Sequence, residues 1–257
     1  MTGETPGLEQ ISGGAVDVWR IDLDRLGTAA WPQTLTADDV RRAGRFLRPS
    51  QRDHFLQARC CLRTLLARYA GLAPRALPLC FNAYGKPLLA PAHGLCFNLS
   101  HSGHLAVIAI GRQSTLAMEV GAEMEMEIGI DIERMRTPDD LPGLAQLVFS
   151  DAECGAFAAL AEDQRTRAFL TGWTRKEAYL KALGVGLALD PRRVNAGFDA
   201  GRAHLPNLLQ PGSVVVDTID IEIDTGAIIS LAICGAAAES GVRLRHCAPF
   251  AALEPAR

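Results

Sequence analysis

Two carboxylates stand two residues apart in Ile128-Gly129-Ile130-Asp131-Ile132-Glu133. In an extended strand alternate side chains share a face, so the three isoleucines lie on one side and Asp131 and Glu133 on the other. Burial of the isoleucines would hold the acid pair on a rigid element, and paired carboxylate oxygens suit a hard cation, Mg²⁺ first. An isolated Asp-x-Glu is more often the wet face of an ordinary strand, so this reading needs further residues. They come from Trp173-Thr174-Arg175-Lys176-Glu177-Ala178-Tyr179-Leu180-Lys181, where Trp173, Glu177 and Lys181 fall at i, i+4 and i+8 on one helix face. A solvated Glu–Lys pair is the bland explanation of that spacing. Gly184-Val185-Gly186, which ends the helix and lets backbone approach a ligand, favours the sharper one.

Glu177 from a helix, added to Asp131 and Glu133 from a strand, makes an incomplete oxygen shell of the kind Mg²⁺ completes with water and substrate phosphate. Lys86, His101, Lys181 and the arginines Arg41, Arg42, Arg45, Arg48 and Arg52 would place positive charge around a polyphosphate. The set describes transfer chemistry at a metal-bound diphosphate. His101 alone would read as a structural histidine, but it sits in Asn98-Leu99-Ser100-His101-Ser102-Gly103, a run of small polar residues better suited to exposing donors than to packing.

The elements that must position these groups follow from periodicity. Val16 to Asp22 alternates as a strand, and Thr36-Ala37-Asp38-Asp39 opens a helix with acids in its first turn. A long helix capped by Ser50 runs to about Ala70 and stops at Gly71; Asn82 to Pro87 is a loop, and Leu105 to Ile110 a strand. From Ala117 to Glu133 the alternation is unusually long. Glu127 would lie roughly 13 Å from Asp131 along that strand, so Glu123, Glu125 and Glu127 read as solvent-facing. Pro138 to Pro142 reads as a linker, and Ser150 caps helical sequence that reaches Leu183 with a break at Glu162 to Gln164. Strands follow at Val214 to Val216, Ile219 to Ile223 and Ala227 to Ile233, turning at Asp224-Thr225-Gly226, with an edge strand after Arg243. Helices mixed with hairpin-linked strands give an α+β class, and the halves echo each other.

Composition narrows the class of partner. The 257 residues are 48% hydrophobic and 21% charged with a net charge of −3, which describes a folded chain without the basic field of a nucleic-acid binder. Seven cysteines, an odd number with no metal-ligand spacing, read as reduced core residues. No apolar run approaches the ~18 residues of a membrane span, and the first sixteen residues lack a signal-peptide pattern. The expectation is a cytoplasmic protein acting away from membranes and nucleic acid.

Tyr84-Gly85-Lys86-Pro87, Phe97-Asn98-Leu99-Ser100-His101-Ser102-Gly103, Gly129-Ile130-Asp131-Ile132-Glu133 and Trp173-Thr174-Arg175-Lys176-Glu177-Ala178 with Lys181, in that order, closely resemble the motifs of the Sfp-type 4′-phosphopantetheinyl transferases. The resemblance runs from about Asp38 to Leu187. It implies a pseudo-twofold monomer of two similar α+β half-domains: a flexible N-terminus (1–15), a first half (16–116), a second half carrying the metal site (117–245) and a tail (246–257). It also implies the reaction, in which the 4′-phosphopantetheine arm of coenzyme A passes to a serine of an apo acyl or peptidyl carrier protein and adenosine 3′,5′-bisphosphate is released. Asp131, Glu133 and Glu177 would then hold Mg²⁺, Glu177 would act as general base, and Lys181 would steady the diphosphate. Arg42, Gly85, Lys86, Asn98, Ser100 and His101 match positions that bind the coenzyme.

Two departures stand out. His54 precedes Phe55 where many relatives carry arginine, leaving Arg52 to substitute, and the segment from Ser114 to Glu127 is longer and more acidic than usual. That segment reads as a hairpin pointing away from an acidic carrier. Two rivals remain: a non-catalytic coenzyme A or carrier-binding module on the same fold, which would not need all three carboxylates and Lys181, and a Mg²⁺-dependent phosphodiesterase or nuclease, which would want a basic groove with aromatic platforms.

Overall fold

The computed structural model describes residues 16–26, 31–112, 126–199, 201–219, 226–235 and 242–246. The N-terminus, most of the acidic segment, the start of the turn at Asp224-Thr225, Cys247 and the tail lie outside the described residues.

In the first half, strand β1 (Val16–Asp22) leads through two short helices, α1 (Trp31–Thr34) and α2 (Ala37–Ala43), to the long helix α3 (Pro49–Ala70). A small hairpin, β2 (Leu79–Phe81) and β3 (Pro87–Leu89), precedes β4 (Leu95–Ser102) and β5 (Leu105–Arg112). The second half repeats the plan with β6 (Glu127–Arg134), two short helices α4 (Leu141–Val148) and α5 (Asp151–Ala158), the long helix α6 (Glu162–Leu183), then β7 (Arg202–Pro206), β8 (Ser213–Ile219) and β9 (Ala227–Cys234). Strand β5 lies between β1 and β4 in one sheet, just as β9 lies between β6 and β8 in the other. Both long helices have 22 residues and end on a left-handed glycine, Gly71 and Gly184. This is the expected α+β fold of two similar halves.

The last strand, β10 (Val242–His246), crosses back. It pairs in parallel with β1 and so completes the sheet of the first half, although the sequence places it with the second. Other local expectations shift for local reasons. Helix α3 begins at Pro49 with Arg48 as its cap, because proline has no N–H to satisfy and presets φ for the first helical position; Ser50 falls inside the first turn. The stretch read as a linker ends at Asp140, whose side chain caps Gly143 N–H at 2.9 Å and starts α4 with Pro142 in its first turn. The break before α6 falls at 159–161, so Glu162 and Asp163 become its acidic first turn. The run from Asn98 to Ser102 is strand, not exposed loop, and Asn98 and Ser100 are buried.

Core formation explains the sheet arrangement. Ile128, Ile130 and Ile132 pack with Ile229, Leu231 and Ile233 against Val16, Val18 and Val107, so the two sheets share one apolar layer. Full burial of each such isoleucine is worth roughly 1.5–3 kcal/mol. Helix α3 covers the other face of the first sheet through Leu62, Leu65 and Leu66, and α6 covers that of the second through Ala178, Tyr179 and Ala182. Asp131 and Glu133 thereby face α6. The six described cysteines are free; Cys60, Cys61, Cys96 and Cys234 are buried, Cys154 is half-buried, and Cys80 is exposed on β2, not in the core. Among the described residues no helix is long and apolar enough to cross a membrane.

A buried ion cluster fixes the arginine-bearing helix α2 on α3. Asp39 closes a capping box with Thr36 and accepts from Arg59 at 2.8 Å and Arg63 at 2.7 Å, all three side chains being almost wholly buried. Burial pushes the Asp39 carboxyl up, but the Arg59 guanidinium and the Thr36 hydrogen bonds outweigh it and hold the pKa at about 2. A carboxyl depressed in the folded state lends stability above its unfolded pKa and loses it as pH falls through the folded value. Asp39→Asn should therefore cost about 3 kcal/mol near neutral pH. In thermal unfolding the gap between wild type and variant should be full above about pH 4 and narrow towards about pH 2; a pH-independent gap would contradict the assignment.

Candidate active site

The free edge of β6 runs alongside β4, and side chains of β4 hold it. Asn98 Oδ1 accepts the Ile130 N–H at 2.9 Å, Ser100 Oγ donates to Asp131 Oδ1 at 2.7 Å, and Ser102 Oγ donates to Glu133 Oε2 at 2.8 Å. Residues 98, 100 and 102 share one face of a strand, so a single alternation supplies all three contacts. Asn98 and Ser100, expected at the coenzyme, thus hold the seam between the halves.

Helix α6 supplies the rest. Gly129 is where it comes closest to β6: a Cβ there would sit 2.1 Å from Ala178 O and 2.3 Å from Ala182 N. Thr174 Oγ1 meets Ser230 Oγ on β9 at 2.9 Å, a second tie of the helix to the sheet. From this position Lys181 Nζ reaches Asp131 Oδ1 at 2.6 Å, Ser100 Oγ at 3.1 Å and Ile130 O at 3.3 Å. Lys176, next to Glu177, faces the other way. It is fully buried and donates to Glu153 Oε2 at 2.6 Å, Val194 O at 2.7 Å and Pro191 O at 3.0 Å, anchoring the helix.

The carboxylates feel one another. Burial raises the Glu177 carboxyl above its ordinary range; Lys181 lowers it, while Asp131 and Glu133 push it further up. Burial likewise raises Glu133, against hydrogen bonds from Ser102 and Trp173. The structure thus brings Asp131, Glu133, Glu177 and Lys181 into one site, but among the described residues no three His, Cys, Asp or Glu side chains converge into a finished metal cage. What fits a cation is Asp131 Oδ2, a buried carboxylate oxygen with no hydrogen-bond partner among the described residues. Like charges around such an atom favour a divalent ion that takes further ligands from water and phosphate.

The remaining expected residues separate into two groups. Arg42 and Gly85 line a cleft of about 430 Å³ with Arg45, Phe46, Phe55 and Phe81, and the Arg42 guanidinium lies 4.0 Å from the Phe81 ring centroid while its Nε pairs with Asp38 at 3.0 Å. Lys86 is instead buried against the second half, where it pairs with Glu127 and donates to Ala182 O at 3.2 Å. Glu127 is therefore engaged with a lysine rather than simply facing solvent, because the β2–β3 turn brings that lysine across the seam. His101 projects from the α3 side of β4; solvent reaches it, yet partial desolvation and the charges of Lys181 and His54 lower its pKa. His54 bonds Asp24 at 2.9 Å, and Arg52 stands 3.8 Å from Asp53. A second cleft, of about 780 Å³, opens on the Glu133 side between Trp173, Phe169, Leu144, Arg48, Arg134 and Arg136.

Trp173 joins the site on the face that helical spacing predicts, whereas Gly129 and Ser102 are site residues that no expected role names. The period-2 set 98, 100, 102 was the available signal for Ser102; a contact between a glycine and a helix 50 residues away leaves none.

The description "4′-phosphopantetheinyl transferase superfamily" belongs to the family model that matches residues 127–224. The 4′-phosphopantetheinyl transferase HetI of Nostoc sp. is 36% identical over 178 residues, 67% of this chain and 70% of that one. The 4′-phosphopantetheinyl transferase AcpT of Salmonella typhimurium is 32% identical over 163 residues, 63% of this chain and 73% of that one. A 4′-phosphopantetheinyl transferase of Bacillus subtilis is 30% identical over 158 residues, 60% of this chain and 62% of that one, less than two thirds of its length.

The close approach at Gly129 is directly testable. Because the atoms a Cβ would meet are backbone, Gly129→Ala must move α6 off the strand, an overpacking cost of about 1–3 kcal/mol or more. Thermal unfolding should show a clear drop in Tm; an unchanged Tm would mean that helix and strand are further apart than described.

Proposed function

Because this chain belongs to the 4′-phosphopantetheinyl transferase superfamily, we propose that it transfers the 4′-phosphopantetheine arm of coenzyme A to a serine of an apo acyl or peptidyl carrier protein, with Mg²⁺, releasing adenosine 3′,5′-bisphosphate. The observation that carries the Mg²⁺-dependent reading is Asp131 Oδ2, buried beside Glu133, Glu177 and Lys181 with no hydrogen-bond partner among the described residues. Asp131, Glu133 and Glu177 would hold the ion. When bound, it neutralises the diphosphate oxygens and stabilises the charge that develops on them during transfer.

The chain's own residues do the remainder. Arg42 and Arg45 offer charge, and Phe46, Phe55 and Phe81 offer aromatic faces, to the nucleotide end of the coenzyme. The cleft beside Glu133 and Trp173, rimmed by Arg48, Arg134 and Arg136, gives the carrier serine its approach. Glu177, with its affinity for a proton raised by burial and by its acidic neighbours, takes the serine proton directly or through water. The serine oxygen then bonds to the phosphorus that bears the pantetheine arm, and the bond from that phosphorus to the bridging oxygen breaks. The electron pair leaves with adenosine 3′,5′-bisphosphate. Lys181, half-buried and held by Asp131 and Ser100, meets the negative charge on the diphosphate.

Mass spectrometry of apo-carriers incubated with coenzyme A, Mg²⁺ and the protein should show a gain of one phosphopantetheine, lost with a chelator and restored by Mg²⁺. Asp131→Ala and Glu177→Ala should each lower turnover by at least ~100-fold, while both remain folded. Near-normal turnover by either folded variant at saturating Mg²⁺ would overturn the assignment.

A further inference from the structure

The β2–β3 turn, residues 82–86, belongs to the first half but is bonded to the last turn of α6 in the second. Asn82 Oδ1 shapes the turn by accepting the Tyr84 and Lys86 N–H groups, each at 2.9 Å, and the backbone closes it with Gly85 N–H on Asn82 O at 3.0 Å. The Nδ2 group of the same carboxamide points outward and donates to Gly184 O at 2.7 Å. Gly184 is the left-handed residue that ends α6, so its carbonyl is one that the helix itself leaves unbonded. Lys86 adds a second tie two residues earlier, at Ala182 O. Lys181, the lysine on Asp131, lies between three and one residues upstream of these two anchored carbonyls. On its other side the turn presents Gly85 to the cleft that holds Arg42 and Phe81.

Resting on the coenzyme reading of that cleft, we propose that Asn82 is a positioning residue: it couples the wall of the coenzyme cleft to the C-terminal turn of α6, so that a filled cleft fixes Lys181 for transfer. One small side chain meets both elements. Its acceptor oxygen sets the shape of the cleft wall, and its donor nitrogen holds the helix end. The chain needs such a device because Gly85 and Lys181 come from different halves, and a helix end is the part of a helix most prone to fray. A misplacement of about 1 Å at a reacting group can cost as much as 100-fold in rate.

The two jobs can be separated. Asn82→Asp keeps an acceptor for Tyr84 and Lys86 but sets an oxygen against Gly184 O; Asn82→Ser keeps a short acceptor and cannot reach that far. In folded preparations of either variant, kcat for transfer should fall tenfold or more, a larger factor than any rise in the Kd for coenzyme A. Amide hydrogen exchange supplies a readout independent of transfer: coenzyme A should slow exchange at Gly184 and Val185 in the wild type and leave it unchanged in the variants. An unchanged kcat in both variants, a loss confined to coenzyme affinity, or equal coenzyme-dependent protection in wild type and variants would each overturn the proposal. Wild-type protein that shows the protection without any transfer would instead refute the transferase reading and leave the coupling standing.

Discussion

Everything at this site depends on how the free edge of β6 is satisfied. An edge strand presents backbone groups that must find partners when buried, and here the neighbouring strand β4 answers partly with side chains. Asn98 takes the Ile130 N–H, and Ser100 and Ser102 bond the carboxylates at 131 and 133. The same three residues thus join the halves and orient the acids. Buried polar contacts of this kind give modest net stability but fix geometry, since leaving any member unpaired costs roughly 1–3 kcal/mol. Gly129 completes the constraint by letting α6 lie against the strand, which brings Lys181 to Asp131.

The electrostatics follow from that packing. Three carboxylates share a partly desolvated space with one close ammonium group, and two of them are held above their ordinary pKa as a result. Such an arrangement is poor for stability and good for chemistry: it invites a cation and raises the basicity of Glu177. The structural charges are kept apart from it. Lys176 with Glu153, and Asp39 with Arg59 and Arg63, are buried and fully engaged elsewhere, on the anchoring sides of α6 and α3.

Local pattern made much of this legible. Alternation placed Asp131 and Glu133 on one face, helical spacing grouped Trp173, Glu177 and Lys181, and the caps at Thr36 and Ser150 formed as capping boxes. What sequence could not convey was partnership over distance. Lys86 meets Ala182 and Glu127, and Asn98 meets Ile130, across spans of the chain that carry no local pattern. Strand β10 looks like the end of the second half, yet a parallel partner 226 positions upstream, Val16 for Val242, claims it. Parallel pairing carries no turn signature, so nothing local announces it.

The central claim is that the seam between β4 and β6 is closed in solution and holds the acid pair. The amide of Ile130 reports on it directly, because its proton goes to the Asn98 side chain and not to a β-ladder. Residue-resolved hydrogen exchange of the wild-type protein should find that amide protected to the same degree as the β9 amides beside it, such as Leu231. Exchange at the rate of an open edge strand would show the seam unformed and would contradict the account of how the site is held together.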